Sequence, residues 1–172
     1  MSKKNDLFAA PIGEGALILL IAAAGWITRT PLVFTSIGPT VYEVIEQPHS
    51  KSANTYNIIV GHLIGLAAGF FSVWVLNAWS SPKVASAGFI AAARMWATVI
   101  AVTLTTLLTL AAKASQPASL STTLLVSLGS MQTLRDAVAI AAAVTIIAII
   151  GQPIRRRRLK AMQEREPEGT KT

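Results

Sequence analysis

The chain has 172 residues, of which 52% are hydrophobic and 13% charged, with a net charge of +7 and no cysteine. Charge at about half the level of a soluble domain, with a mean hydropathy of +0.54, argues against a water-soluble globular protein. The missing thiols exclude a disulfide frame, a thiolate metal site and a cysteine nucleophile.

The first apolar run covers 7–27 and follows Lys3 and Lys4. A helix needs roughly 20 apolar residues to cross a hydrocarbon layer about 30 Å thick, so this run is long enough. Lys3, Lys4 and the small residues Ala22-Ala23-Ala24 also fit a secretory signal. Pro11 and Glu14 interrupt its start, however, and it is longer than a usual signal core, so a retained anchor is favoured.

Residues 57–79 and 88–112 form two more runs of spanning length, and 137–150 is shorter but almost purely aliphatic. Between the spans lie 29–56 and 113–134, too long and too apolar for solvated loops. Each holds Ser beside Pro, a helix-start signal (Ser36 to Pro39, Ser115 to Pro117), and each ends at a stop, Pro48 or Gly129. Each therefore predicts a helix of two to three turns. A shift of 78 residues carries Pro39 onto Pro117 and Asn57 onto Arg135. The expectation is an all-α membrane protein built from a span, short helix, span unit used twice, at about 7–79 and 88–153. If the short pieces re-enter, each unit crosses twice and the copies run parallel; if they cross, each unit crosses three times and the copies are inverted. Four spans with two re-entrant helices are favoured, because Glu43 and Glu46 are costly at mid-membrane.

After the last span come Arg155 to Arg158 and Lys160, and 154–172 reads as a basic, polar tail containing Glu164, Glu166 and Glu168. Basic residues flanking spans are held in the cytoplasm, so both termini are expected there, in a bacterial inner membrane. The same arginines can touch anionic lipid. A nucleic-acid partner is not expected, since the cluster lacks interleaved aromatics.

Gly61, Gly65 and Gly69 recur every four residues, a face for close helix approach within or between protomers; a homo-oligomer is expected. His62 must find a partner inside a span, for structure, ligand contact or proton exchange. Arg94 either snorkels or faces inward, with Glu14 as the natural partner. The threonines between 98 and 109 are more often satisfied by the preceding turn, and Asp136 suits a helix start. No His, Asp or Cys grouping has metal-ligand spacing, and no phosphate loop or catalytic triad is present; neither enzyme chemistry nor a cofactor is expected.

The stretch from Phe34 to Pro39, then Pro48-His49-Ser50, then Asn57-Ile58-Ile59-Val60-Gly61-His62, resembles the HPP family of integral membrane proteins over about residues 12–153. Where that family carries His-Pro-Pro-Ala, this chain has Ser115-Gln116-Pro117-Ala118. The resemblance implies four spans and, because some members are linked to nitrite transport, a small anionic solute. Helix starts bind anions. Two short helices aiming their starts at one mid-membrane point are expected to form the site, which gives Ser36, Gly38, Asn57, His62, Arg94, Ser115, Gln116 and Ser119 as ligand-binding candidates. The other expectation is a noncatalytic membrane subunit or scaffold that packs through its glycine faces.

Overall fold

The computed structural model describes residues 3–164, and the side chains from residue 8 onward. Lys3 and Lys4 as flanking charges, and Glu166 and Glu168 in the tail, fall outside the described side chains. The described residues are helical with no strand: α1 (Lys3–Thr28), α2 (Ile37–Glu46), α3 (Thr55–Val75), α4 (Val84–Ala87), α5 (Ala92–Ala111), α6 (Ala118–Ser127) and α7 (Leu134–Gln163), with a 3₁₀ turn at Ala78–Ser80. Four of them, α1, α3, α5 and α7, are long and apolar enough to cross a membrane. That architecture is compatible with a helical membrane protein.

Local chemistry sets the boundaries. The Asn54 side chain accepts from the Tyr56 amide and starts α3. Thr133 and Asp136 form a reciprocal capping box that starts α7 three residues before its aliphatic run. Gly129, at φ +89°, ends α6 in the left-handed region that favours glycine. The basic stretch does not begin a loose tail: α7 continues through Pro153 to Gln163. Arg155 Nε donates to Pro48 O at 2.7 Å and Arg158 Nε to Ile45 O at 3.1 Å, tying that end of α7 to the segment after α2.

These contacts trace the chain path. At the far end, where α1 finishes, Arg135 Nη2 at the start of α7 donates to Arg29 O at 2.6 Å. Arg158 lies about 35 Å further along α7 at 1.5 Å per residue, and there it holds the last turn of α2. Helix α2 with the extended stretch before it thus runs from the far end to the near end, where α3 begins. Helix α6 does the reverse. It starts beside the first turns of α3, where Asn57 Nδ2 donates to Ser115 O at 3.1 Å. It finishes near the start of α5, where Arg94 Nη1 donates to Ser127 O at 3.0 Å. Neither short helix returns to the end it came from, which departs from the re-entrant expectation. The cause is their partners: α2 lies along α7 and α6 along α3, so each packs on the long helix that follows the other.

The two halves bury different surfaces. Around α1, α2 and α7 the core is aliphatic, with Leu17, Ile21, Ile37, Val41, Val44, Ile45, Ile140, Val144 and Ile147. Between α3, α5 and α6 it is small and hydroxylated, with Ala97, Ala101, Thr105, Ser119, Thr122, Thr123 and Ser127 buried. A β-carbon on Gly61 would lie 2.6 Å from Gln116 Cβ, on Gly65 2.7 Å from Ser119 O, and on Gly69 2.8 Å from Val126 Cβ. The glycine face is therefore a seam inside the chain, between α3 and α6.

Candidate functional site

The polar centre lies where α2, α3 and α6 meet. His62 stands roughly 10 Å along α3 from its first residue and is 1% exposed. Its Nδ1 is 2.8 Å from Thr122 Oγ1 on α6, and its Nε2 is 3.0 Å from Thr40 Oγ1 on α2. Thr40 Oγ1 donates to Ser36 O at 2.7 Å, and Ser36 Oγ lies 2.8 Å from Thr122 Oγ1. All four side chains are buried.

The donor directions in this loop follow by elimination. Thr40 spends its one hydroxyl proton on Ser36 O, so it must accept from His62 Nε2–H. In a neutral imidazole, Nδ1 then accepts from Thr122, and Thr122 accepts from Ser36. The network fixes the Nε2–H tautomer and runs with one polarity from Ser36 through Thr122 and His62 to Thr40. A second hydroxyl set ties α6 to its other neighbours. Thr123 Oγ1 is 2.8 Å from Thr105 Oγ1 on α5 and bonds Ser119 O on its own helix. Ser119 Oγ donates to Gln116 O at 2.6 Å.

Toward the near end the pattern changes. Glu43 and Gln116 are 8% and 3% exposed. The Ser52 hydroxyl and the Gln116 amide are the side chains closest in effect on the Glu43 carboxyl. Even so, Glu43 Oε2 and both amide atoms of Gln116 make no hydrogen bond of sound geometry. Gln116 also borders a cavity of about 170 Å³ with Thr106, Thr109, Ser115, Pro117 and Ser119.

Of the eight sequence candidates, the structure brings Ser36 and His62 into one network. Asn57 and Gln116 are buried nearby, with Asn57 bonded to the Ser115 backbone. Ser119 sits on the α3–α6 seam. Ser115 and Gly38 are exposed, and Gly38 has open space beside it.

The two short-helix starts do not meet at one point. Ser36 faces Thr122, six residues along α6 from Gln116, which separates the starts by about 9 Å at helical rise. The reason is that α2 and α6 lie antiparallel, so the start of α6 meets the end of α2.

Arg94 is placed elsewhere, at the far end, and meets no carboxylate among the described residues. It is fully buried. Its Nε donates to Pro82 O at 2.8 Å, Nη1 to Ser127 O at 3.0 Å and Nη2 to Ser81 O at 3.0 Å. Gln132, with its oxygen turned inward, accepts from Nη1 and Nη2 at 3.2 and 2.7 Å. All five N–H groups are used. Any β-carbon on Gly129 would come within 2.6 Å of the guanidinium carbon, so glycine there admits the arginine. Arg94 neither snorkels nor pairs with Glu14; it caps the end of α6. Glu14 instead lies within electrostatic reach of Glu46 and Arg158 at the near end, where Arg158 Nη2 meets Glu46 Oε1 at 3.3 Å.

Sequence reasoning missed Thr40, Thr122 and Glu43 as members of the centre. Thr122 and Thr123 stand three and four residues after Ser119, a helical stripe that could have been read. Thr40 had no such signal, because its role depends on α2 lying against His62. Among the described residues, no group of three or more His, Cys, Asp or Glu side chains is placed to hold a metal ion. The fold defines a class, an all-helical chain with four helices of membrane-spanning length. Compared with known protein families, curated proteins and solved structures, the chain matches none.

Proposed function

We propose that the protein is an integral membrane transporter or channel for a small polar solute, without enzymatic activity, and that the junction of α2, α3 and α6 is its route. One observation carries this reading: a closed loop of four buried polar side chains, Ser36, Thr122, His62 and Thr40, inside an apolar bundle. Polar groups at membrane depth are costly and concentrate on solute or proton paths. HPP membership, on the residues that carry the resemblance, makes nitrite the solute to test. Hydroxyl and amide groups from Ser36, Thr122, Asn57 and Gln116 are suited to replace its hydration. Arg94 has no part in the route.

In this proposal α2 and α6 each carry the chain across together with their flanking extended residues. The result is two three-helix units of inverted topology, with α1, α2 and α3 equivalent to α5, α6 and α7. The packing pattern supports it, because three contact pairs have counterparts under that exchange: α1–α2 with α5–α6, α2–α7 with α6–α3, and α1–α7, a slight contact, with the extensive α5–α3. Of the 13 Lys and Arg residues in 3–164, nine belong to the near end (Lys3, Lys4, Lys51, Lys113, Arg155, Arg156, Arg157, Arg158, Lys160). The near end, with both termini, is therefore assigned to the cytoplasm of a bacterial inner membrane. A homo-oligomer stays part of the proposal, although the glycine face is occupied within the chain.

A noncatalytic subunit or scaffold is the second reading. It is favoured by the fact that the polar loop satisfies itself without a ligand. Purified protein in liposomes separates the two. Transport predicts nitrite flux above protein-free vesicles, reduced by His62→Ala and Thr122→Val. Absence of flux for nitrite and other small anions favours the scaffold.

A further inference from the structure

Glu43 is the only buried acidic side chain among the described residues, and its surroundings are specific. It is 8% exposed and occupies the last turn of α2. The free carbonyls there carry partial negative charge, which opposes a carboxylate. The charged groups near α2 are turned elsewhere. From α7, Arg158 meets Glu46 and Ile45 O, and Arg155 meets Pro48 O and Ser50 O. From α1, Glu14 faces Glu46 and Arg158. From α3, His62 is engaged by Thr40 and Thr122. Helix α6 presents no ionisable side chain, and His49 and Lys51 in the following loop are exposed. What faces Glu43 is neutral, the Ser52 hydroxyl and the Gln116 amide. An isolated buried carboxylate is expensive, and the usual remedy is to take up a proton.

We propose that Glu43 is a proton-binding site, holding its proton in the arrangement described and donating that hydrogen to the Gln116 amide oxygen. Two details support this. Glu43 Oε2 and both amide atoms of Gln116 are buried without a hydrogen-bond partner, so the carboxylate as placed takes no hydrogen bond from the amide nitrogen, and one proton on the carboxyl gives the amide oxygen a donor. In addition, Glu43 sits on α2 and Gln116 directly precedes α6, so parting of these two short antiparallel helices would open the carboxyl to water and release the proton. Resting on the transport reading above, the site would couple release of one proton to each passage of the solute, for which nitrite serves as the probe. The exchange is Glu43–COOH to Glu43–COO⁻ plus H⁺, with no redox step.

The test uses the purified full chain in lipid nanodiscs and needs no transport. Infrared titration of the wild type should show a protonated carboxyl band at neutral pH. That band should be absent in Glu43→Gln, shifted but present in Glu43→Asp, and unchanged in Glu46→Gln. A wild type without the band, or a Glu43→Gln variant that keeps it, overturns the proposal. A second arm loads liposomes with a pH-sensitive dye and adds nitrite. One proton entering per nitrite supports coupling, and nitrite entering without protons overturns coupling while leaving the transport reading intact. If no nitrite enters, the transport reading falls, and with it the coupling, while the infrared result still decides Glu43 as a proton site.

Discussion

The two halves of this molecule, α1–α2–α7 and α3–α5–α6, hold their helices together by opposite means. Helix α6 settles onto α3 through Gly61, Gly65 and Gly69, close enough that hydroxyls can reach backbone carbonyls, and α5 follows with Ala97, Ala101 and Thr105. Helix α2 meets α7 through branched aliphatic side chains instead, and a β-carbon on Gly151 would lie 3.0 Å from Val44 Cγ1. The aliphatic half is also looser at its edge. Helix α1 touches α7 only briefly and leaves a groove of about 610 Å³ lined by Ala24, Leu32, Leu134, Val138 and Ile146. In a bilayer, helices gain little from burying apolar surface, so close packing and hydrogen bonds do the holding. The α3–α5–α6 half follows that rule, and the α1–α2–α7 half depends on dispersion between large side chains.

That contrast can be broken at several points. The largest loss is expected from Arg94→Leu, which strips donors from three backbone carbonyls and Gln132 at about 1–3 kcal/mol for each acceptor left buried. Size-exclusion of the variant in mild detergent should show little monodisperse protein, with Arg94→Lys recovering part; a wild-type profile for Arg94→Leu would remove the clamp from the account.

In the aliphatic half, Ile147→Ala should cost about 2–5 kcal/mol through the cavity it leaves. Thermal unfolding in detergent measures this, and a negligible shift would mean that α2 and α7 are not packed as described. The hydroxylated half should respond to added volume instead. Gly65→Ala places a methyl carbon 2.7 Å from Ser119 O and 2.8 Å from Thr123 Oγ1, for about 1–3 kcal/mol of overpacking. In the aliphatic half, Ala143 on α7, its counterpart in the proposed repeat, already carries that methyl. There the reverse change, Ala143→Gly, should lose about 1 kcal/mol by helix propensity. Equal tolerance of Gly65→Ala and an unchanged chain would erase the difference between the halves. The smallest effect is expected from Thr133→Ala, which removes the capping box of α7 for about 1 kcal/mol. Thr133→Ser should restore it.

The long helices were legible in the sequence because spanning length and apolar content are local properties. Short helices at both Ser–Pro signals were legible too, at Ile37–Glu46 and Ala118–Ser127. Their direction of travel was not. Nothing within 29–56 states that Arg158, more than a hundred residues away, will hold the last turn of α2 at the near end. The site divided in the same way. His62 and Ser36 stood out because a polar group within an apolar run needs a partner, yet that partner, Thr122, is set by how α6 sits on the glycine seam. Arg94 was conspicuous as a charge within a span. Its role depended on carbonyls at Ser81, Pro82 and Ser127, which become acceptors only where helices end.

Single-cysteine labelling tests the central claim, that α2 and α6 carry the chain from one end of the bundle to the other. The chain has no cysteine of its own, and Arg29, His49, Lys83, Lys113 and Ser130 are all exposed. With both termini in the cytoplasm, the account predicts that an impermeant thiol reagent added outside cells labels cysteines at 29, 83 and 130, and leaves those at 49 and 113 untouched until the membrane is opened. Outside labelling at 29, 49, 113 and 130, with 83 protected, would contradict it and restore two re-entrant helices.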